Sequence, residues 1–157
     1  MEDSSQVLTI MKELELCFAE LYRAASQIDS SRNMREFWLQ LSYQEEIHAE
    51  YVGKMMEAYS EAPEKFEIGR QFNAISLKTW ISEIKATVSK VKNGEIDPRS
   101  LLSIASDYED TLMEKNCSEY LNSADVEYTN LMNKIMAETR HHREMLENKI
   151  KEIENRG

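Results

Sequence analysis

The chain has 157 residues, of which 41% are hydrophobic and 31% are charged, and it contains only four glycines and two prolines. A chain of this length suits a single domain over residues 1–157 with a sizeable core. So few glycines and prolines favour long helices with few turns. The formal net charge of −10 argues against a nucleic-acid partner and against docking to anionic membranes.

Cysteine usage and hydropathy limit the classes of protein further. Cys17 and Cys117 are isolated, so the sequence has no CxxC pair for zinc or redox chemistry and no disulfide framework. Residues 1–5 do not form a signal peptide, and no apolar run reaches transmembrane length. We therefore expect a soluble, cytoplasmic protein whose two cysteines are buried, inert thiols.

The first two predicted helices form a hairpin over about residues 5–60. The first helix covers about residues 5–28 and has a wide apolar face. After a short turn, Asn33 is predicted to cap the second helix, with Glu36 at the capping-box position. Because the connection is short, the two helices are expected to pack as antiparallel neighbours.

A third amphipathic stretch follows an irregular segment at residues 61–70. It covers about residues 70–93 and ends at Asn93-Gly94, which is a typical stop signal. Its apolar face carries no carboxylate and no histidine. We therefore predict a crossover helix that links two hairpins.

The second hairpin is predicted over about residues 98–153. Asp97 as N-cap and Pro98 as the first helical residue mark its start. Its first helix is expected to run to about Leu121, and a turn at residues 122–125 leads into the last helix. The residues after this hairpin are expected to fray.

Two polar residues lie in the middle of the apolar face of the second helix. At about 100° per residue, Glu45 and His48 share this face with Leu41 and Val52. A buried carboxylate without a partner is costly, and it either finds a neutralising group or takes up a proton. The rest of the chain should therefore supply a partner for Glu45.

The two hairpins resemble each other when the sequence is shifted by 94 residues. The shift takes Glu15 to Glu109 and His48 to His142. Each hairpin has one glutamate on its first helix, followed by a glutamate and a histidine on its second. Antiparallel packing would bring these groups to one level along the bundle axis.

Glu45-Glu46-Ile47-His48 and Glu138-Thr139-Arg140-His141 are both Glu-x-x-His motifs. Two such motifs and two further glutamates on four inward-facing helices resemble the ferritin-like di-iron carboxylate proteins. Leu21-Tyr22-Arg23-Ala24-Ala25 and Phe37-Trp38 are similar to the rubrerythrin branch of that superfamily. The resemblance implies an all-α, ferritin-like antiparallel four-helix bundle, made of the two hairpins with the crossover helix added.

The resemblance also implies a carboxylate-bridged centre of two metal ions, iron in the first place, with manganese or zinc as alternatives. Glu45 and Glu138 would bridge the ions, and Glu15 and Glu109 would be terminal ligands. The implied metal ligands are Glu15, Glu45, His48, Glu109, Glu138 and His142, with His141 as the alternative to His142.

The choice between the two neighbouring histidines is open from sequence. The Glu-x-x-His spacing selects His141, whereas helical geometry places His142 near the centre of the apolar face. The 94-residue shift also aligns His48 with His142. We favour His142, although a local bulge in the helix would favour His141.

The resemblance predicts a non-haem dimetal oxidoreductase that oxidises Fe(II) or reduces peroxide or oxygen. Full rubrerythrins also carry a rubredoxin-like module with CxxC pairs. This chain has none, so a peroxidase role would require an external electron-donor protein. The alternatives are a non-catalytic iron-binding, storage or sensing protein, and a helical interaction module with an empty or structural metal site. Homo-oligomers are compatible with each of these functions.

Overall fold

The computed structural model describes residues 4–28 and 32–156, and within these ranges the protein is almost entirely helical. The helices of the described chain are α1 (Ser4–Ile28), α2 (Arg32–Glu61), α3 (Ala74–Lys92), α4 (Pro98–Lys115) and α5 (Val126–Arg156). A small antiparallel sheet pairs β1 (Phe66–Ile68) with β2 (Leu121–Ser123). The predicted all-α class is confirmed at this level.

The start of α2 differs from the predicted cap. Asn33 lies inside the helix, because the described helix already includes Arg32. The prediction of Asn33 as N-cap is therefore wrong. Most of the turn predicted at residues 29–32 lies outside the described residues.

The caps of the two following helices satisfy the first free amides. The Asn73 side chain accepts a hydrogen bond from the Ser76 amide at 2.9 Å and caps α3. Asp97 Oδ1 accepts from the amides of Arg99 and Ser100, both at 3.0 Å, so the predicted start of α4 is confirmed.

The end of α4 comes earlier than predicted. The helix stops at Lys115 instead of about Leu121, because Asn116 adopts a left-handed conformation with φ of 44°. A short 3₁₀ turn and strand β2 occupy the next residues. Strand β1 lies in the segment predicted to be irregular, and neither strand was predicted.

The last helix continues beyond its predicted end. Within the described residues, α5 reaches Arg156 instead of about Ile153. Arg156 forms an ion pair with Glu152 at 3.0 Å, and Lys149 forms another with Glu152 at 3.3 Å. These i,i+3 and i,i+4 pairs support the last turns of the helix.

Helices α1 and α2 pack side by side in opposite directions. Ser42 Oγ donates a hydrogen bond to the Ala19 carbonyl at 2.8 Å, and Glu15 faces His48. Residue numbers therefore rise along α1 as they fall along α2. The predicted antiparallel packing of the first hairpin is confirmed.

Helix α4 packs along α5, and its residue numbers run the opposite way, because Asp110 pairs with Arg143 whereas Leu102 and Ile150 line one pocket. Leu102 lies near Ile150, and Leu112 lies near Ile135. Helix α2 also contacts α5, and α1 contacts α4. The four helices thus enclose a common interior.

Helix α3 covers the outer side of α1. Trp80 packs edge-on against Phe18 with ring centroids 5.9 Å apart, and Lys85 forms a 3.0 Å ion pair with Glu13. Among the described residues, no helix combines the length and the apolar character needed to cross a bilayer.

Candidate metal centre

Five ionisable side chains lie in the interior between α1, α2, α4 and α5. Glu45, His48, Glu109 and His142 have no exposed surface, and Glu15 is 6% exposed. Burying carboxylates in an apolar core is costly unless a positive charge or a proton neutralises them. The predicted inward orientation of these five residues is confirmed.

The helical period explains how α2 carries polar groups in the core. Glu45 and His48 are three residues apart and lie on the same face as Leu41 and Val52, which are fully buried. The apolar residues fix this face against the neighbouring helices. The carboxylate and the imidazole are therefore buried together with the apolar side chains.

Glu45 lies between two imidazole rings. Its Oε1 is 2.9 Å from His142 Nδ1, and its Oε2 is 3.4 Å from His48 Nδ1. The two rings stack with centroids 5.3 Å apart. One ligand atom from each of these three residues lies within 4.8 Å of the others.

The glutamates of α1 and α4 complete the cluster. Glu15 Oε2 is 3.6 Å from His48 Nδ1. Glu109 Oε1 accepts a 2.5 Å hydrogen bond from the hydroxyl of Tyr22, which is itself fully buried. Each first helix thus contributes one carboxylate, as the sequence predicts.

Several atoms of this cluster have no hydrogen-bond partner. In the described part of the chain, the unpartnered buried atoms of the cluster are Oε2 of Glu15, Oε2 of Glu45, Oε2 of Glu109 and Nδ1 of His48. Nearly all buried polar atoms in proteins are hydrogen-bonded, so a group of exceptions in one place requires a physical explanation.

A metal ion fits this arrangement. His48 Nδ1 is 3.4 and 3.6 Å from the two nearest unpartnered carboxylate oxygens. Donor atoms bound to one ion at about 2.1 Å lie about 3.0–3.4 Å from each other. Carboxylate oxygens with neutral imidazole nitrogens suit iron and manganese and are accepted by zinc. The residues present therefore fit a metal centre.

Two carboxyl groups of the metal-free cluster favour their protonated forms. Burial raises the pKa of Glu15 well above its ordinary value, and the charge of Glu45 raises it further. Burial also raises the pKa of Glu109, and the charge of Glu45 raises it further. The hydrogen bond from Tyr22 lowers this pKa, but by less. Without metal, the cluster reduces its repulsion by holding protons.

Glu45 and His48 favour their charged forms instead. Burial would raise the pKa of Glu45, but its close contacts with Glu15, His142 and His48 outweigh the effect of burial and lower the pKa. Burial would lower the pKa of His48, but Glu15 and Glu45 raise it to about 11. A buried carboxylate and a buried imidazolium therefore neutralise each other in the metal-free state.

The structure separates the two candidate histidines of α5. His142 is completely buried in the cluster, whereas His141 is exposed. Helical geometry is therefore the better guide to the inward histidine than the Glu-x-x-His spacing. The ligand role of His142 stays a prediction.

Glu138 does not lie among the unpartnered donor atoms. Its side chain is 35% exposed, and its Oε2 is 2.7 Å from His48 Nε2, the ring nitrogen opposite the one that faces Glu45. The bridging role of Glu138 stays a prediction. Glu138 lies where a carboxylate orients a metal-binding histidine by accepting its other N–H.

Thr139 occupies the position that corresponds to Glu45. The shift of 94 residues takes Glu45 to Thr139, and Thr139 is buried with 2% exposure. The 94-residue shift aligns Glu45 with Thr139, whereas the Glu-x-x-His spacing selects Glu138. The inner cluster consequently has one carboxylate fewer than predicted.

Two further contacts at the site were not predicted. The amide oxygen of Gln44 is in hydrogen-bond contact with His142 Nε2. The other contact is the hydrogen bond from the Tyr22 hydroxyl to Glu109. Both contacts join residues that are remote in sequence.

A small, mostly apolar pocket of about 20 Å³ adjoins the cluster. Its polar lining comes from Glu15 and Thr139, together with Cys117, whose pKa is raised to about 12 by burial. The apolar part of its wall consists of Met11, Leu14, Leu112, Met132, Ile135 and Met136. Both cysteines are buried and free, as predicted.

The comparisons with known proteins add no support for the family resemblance, which therefore rests on these residues alone. No protein-family model, curated protein or solved structure matches the chain.

Proposed function

We propose that the protein binds two divalent metal ions, iron in the first place, and acts as a non-haem dimetal oxidoreductase. It would oxidise Fe(II) or reduce oxygen or peroxide. The observation that carries the proposal is the convergence of unpartnered donor atoms from Glu15, Glu45, His48 and Glu109 in one buried place. Carboxylate oxygens and imidazole nitrogens are metal-binding atoms, and buried polar atoms in a purely structural network rarely lack a partner.

The five inner residues divide naturally between two ions. The two oxygens of Glu45 face different histidines, so this carboxylate would hold metal together with both His48 and His142. Glu15 lies beside His48, and Glu109 is held by Tyr22 within reach of the charge of Glu45. Two bound irons would supply a centre that exchanges electrons with oxygen or peroxide.

The surrounding residues hold the ligands and their protons in place. Glu138 accepts the Nε2 proton of His48, which leaves Nδ1 free to bind metal. Tyr22 donates to one oxygen of Glu109 and leaves the other oxygen unpartnered. Burial excludes bulk water from all five inner groups.

The test loads metal-free protein with Fe(II) under anaerobic conditions and then adds either oxygen or peroxide. We expect consumption of at least one oxidant and a near-ultraviolet absorption band of oxidised iron. Glu45→Gln should abolish both signals, whereas Glu46→Gln, a change in a surface ion pair with Arg23, should leave them intact. Iron that binds without any reaction would contradict turnover and favour storage or sensing.

A metal-free polar network is the second candidate, and one observation favours it. Glu45 already contacts both imidazoles, and His48 also pairs with Glu138. A helical interaction module could use such a network as part of its core. In that case, Fe(II), Mn(II) and Zn(II) would all leave the melting temperature unchanged, because only a ligand that binds the native state raises it.

A further inference from the structure

The first hairpin carries apolar side chains on its outer surface. The described chain has six exposed large hydrophobic side chains, and three of them, Leu16, Leu39 and Tyr43, belong to α1 and α2. Tyr43 is the most exposed of the three, at 64%. It lies one turn after Leu39 on the same side of α2. Apolar side chains grouped on an exposed face are typical of an interaction surface.

An ion pair shows that these residues of α1 and α2 share one face. Arg23 of α1 pairs with Glu46 of α2, and both side chains are exposed. Leu16 lies two turns before Arg23, and Tyr43 lies one turn before Glu46, so each apolar residue projects to the same side as its charged neighbour. We call the surface formed by Leu16, Arg23, Leu39, Tyr43 and Glu46 the hairpin face.

The apolar residues of the hairpin face are arranged symmetrically about Tyr43. Because Glu15 faces His48 in the antiparallel hairpin, Tyr43 is level with residue 20 of α1. Leu16 then lies one turn to one side of this level and Leu39 one turn to the other, each about 6 Å away along the helix axes. The apolar part of the face therefore looks alike from both ends.

The charged residues follow the same symmetry. Arg23 lies about 4.5 Å to one side of the level of Tyr43, and Glu46 lies about 4.5 Å to the other. A two-fold axis at this level, lying in the face and perpendicular to the helices, inverts every position along the helix axes. It brings Leu16 of one copy level with Leu39 of a second copy, and Arg23 level with Glu46. Such self-complementarity is what a two-fold interface requires.

We propose that the hairpin face binds a second copy of this chain and forms a two-fold symmetric dimer, with the two Tyr43 rings meeting at the axis. The chain carries a net charge of −10, so two copies repel each other over most of their surfaces. On the hairpin face, Arg23 and Glu46 cancel within each copy and pair again between copies. Tyrosine at the centre matches the enrichment of aromatic side chains in interfaces.

The hairpin offers enough surface for a stable dimer. Helix α1 has 25 residues and α2 has 30. At 1.5 Å per residue and about 10 Å across each helix, the two side by side present roughly 750 Å². Stable interfaces bury about 800 Å² on each partner. The inference does not depend on the metal centre, because the hairpin face points away from the interior.

The first experiment measures the number of chains per particle by sedimentation equilibrium over a range of protein concentrations. We expect a dimer of the unaltered chain. Tyr43→Arg should weaken the association at least about thirtyfold, because it replaces the central aromatic contact with two like charges at the axis. Ile75→Arg is the matched control, since it adds the same charge at an 80% exposed apolar residue on α3 and should leave the association unchanged.

The second experiment tests the two-fold arrangement by exchanging charges. Arg23→Glu alone and Glu46→Arg alone should each be monomeric at concentrations where the unaltered chain dimerises, because like charges then meet at two places. An equal mixture of the two variants should form mixed dimers, because every altered residue then meets an opposite charge. If Tyr43→Arg does not fold, as judged by circular dichroism, the mixture decides the question by itself.

Three results would overturn the inference. They are an unaltered chain that is monomeric at every concentration, equal weakening by Tyr43→Arg and Ile75→Arg, and a mixture of the charge variants that associates no better than either variant alone. A monomeric chain would leave the hairpin face to a different protein. None of these results bears on the metal centre, so the proposed function and this inference fail separately.

Discussion

The buried carboxyl groups hold protons that a metal ion has to displace. Glu15 and Glu109 have raised pKa values, chiefly because they are buried, and His48 has its pKa raised to about 11 by Glu15 and Glu45. Metal ligands must be deprotonated, so metal binding releases protons and strengthens as the pH rises. The metal-free protein should respond to pH in the opposite direction.

We predict that the metal-free protein becomes less stable as the pH rises from about 6 to 9. At pH values above 4.5, their ordinary pKa, Glu15 and Glu109 bind more protons in the folded protein than in the unfolded chain. The free energy of unfolding therefore falls as the pH rises. The stability that His48 contributes is complete below its ordinary pKa of 6.5 and is lost towards about 11. Each group contributes at most about 1.4 kcal/mol per pH unit.

The measurement is the melting temperature across this pH range, followed by calorimetry or circular dichroism. The lowered pKa of Glu45 changes the stability only at acid pH, so it does not reverse the predicted decline between pH 6 and 9. Saturating metal should remove the decline. A melting temperature of the metal-free protein that increases from pH 6 to 9 would be incompatible with protonated carboxyl groups in the core.

Glu138 should behave as a positioning residue for His48. We predict that Glu138→Ala lowers metal affinity by about 10–100-fold, because the imidazole loses the acceptor of its Nε2 proton. The number of ions bound at saturation should stay the same. Equilibrium dialysis with metal analysis measures both quantities. Glu46→Ala, in the motif that contains His48 but at the surface, is the control. Loss of a whole ion in Glu138→Ala would make Glu138 a ligand.

The inward side chains could be predicted because they follow the helical period within single helices. Glu45, His48 and His142 are identified by this rule alone. The pairing of Tyr22 with Glu109 joins residues 87 positions apart, and no local pattern contains that information. Thr139 was missed because a familiar motif spacing outweighed the alignment of the repeats.

At the scale of elements, the long helices were predictable and the sheet was not. The helices depend on apolar periodicity and on caps such as Asp97, both of which are local. Strands β1 and β2 have three residues each and are stabilised by pairing between segments far apart in sequence. The early end of α4 has the same origin, because the chain leaves the helix at Asn116 to reach β2.

Gly69 lets the chain after β1 approach the loop before β2. A Cβ there would lie 2.4 Å from the Glu119 carbonyl oxygen, so the backbone would have to move. We predict that Gly69→Ala lowers the free energy of unfolding by about 1–3 kcal/mol, measured by urea denaturation. A variant as stable as the unaltered protein would show that this loop contact is not required.

Gly53 provides the control for this prediction. It lies inside α2, and the nearest atom to an added Cβ is the Lys12 ammonium at 3.6 Å, so alanine fits without a clash. Gly53→Ala should raise the free energy of unfolding by about 0.5–1 kcal/mol, since alanine favours a helix interior over glycine.

At the scale of the whole molecule, the polar cluster joins the two hairpins. Glu45 of α2 meets His142 of α5, and Tyr22 of α1 meets Glu109 of α4. Without metal, these contacts bring carboxylates that repel one another into the common core. Bound metal would convert the same place into a link between four helices, so metal should stabilise the entire fold and not one helix alone.

The most direct test of the metal centre is the metal content of the protein together with its melting temperature. The metal-free chain is titrated anaerobically with Fe(II). We predict about two ions per chain and a rise in melting temperature, equivalent to about 2.7 kcal/mol for each ion when free metal exceeds its dissociation constant a hundredfold. Glu45→Gln should lose most of the metal and the temperature shift while remaining helical. No bound iron and no shift in the unaltered protein, or full metal content in Glu45→Gln, would contradict the proposed centre.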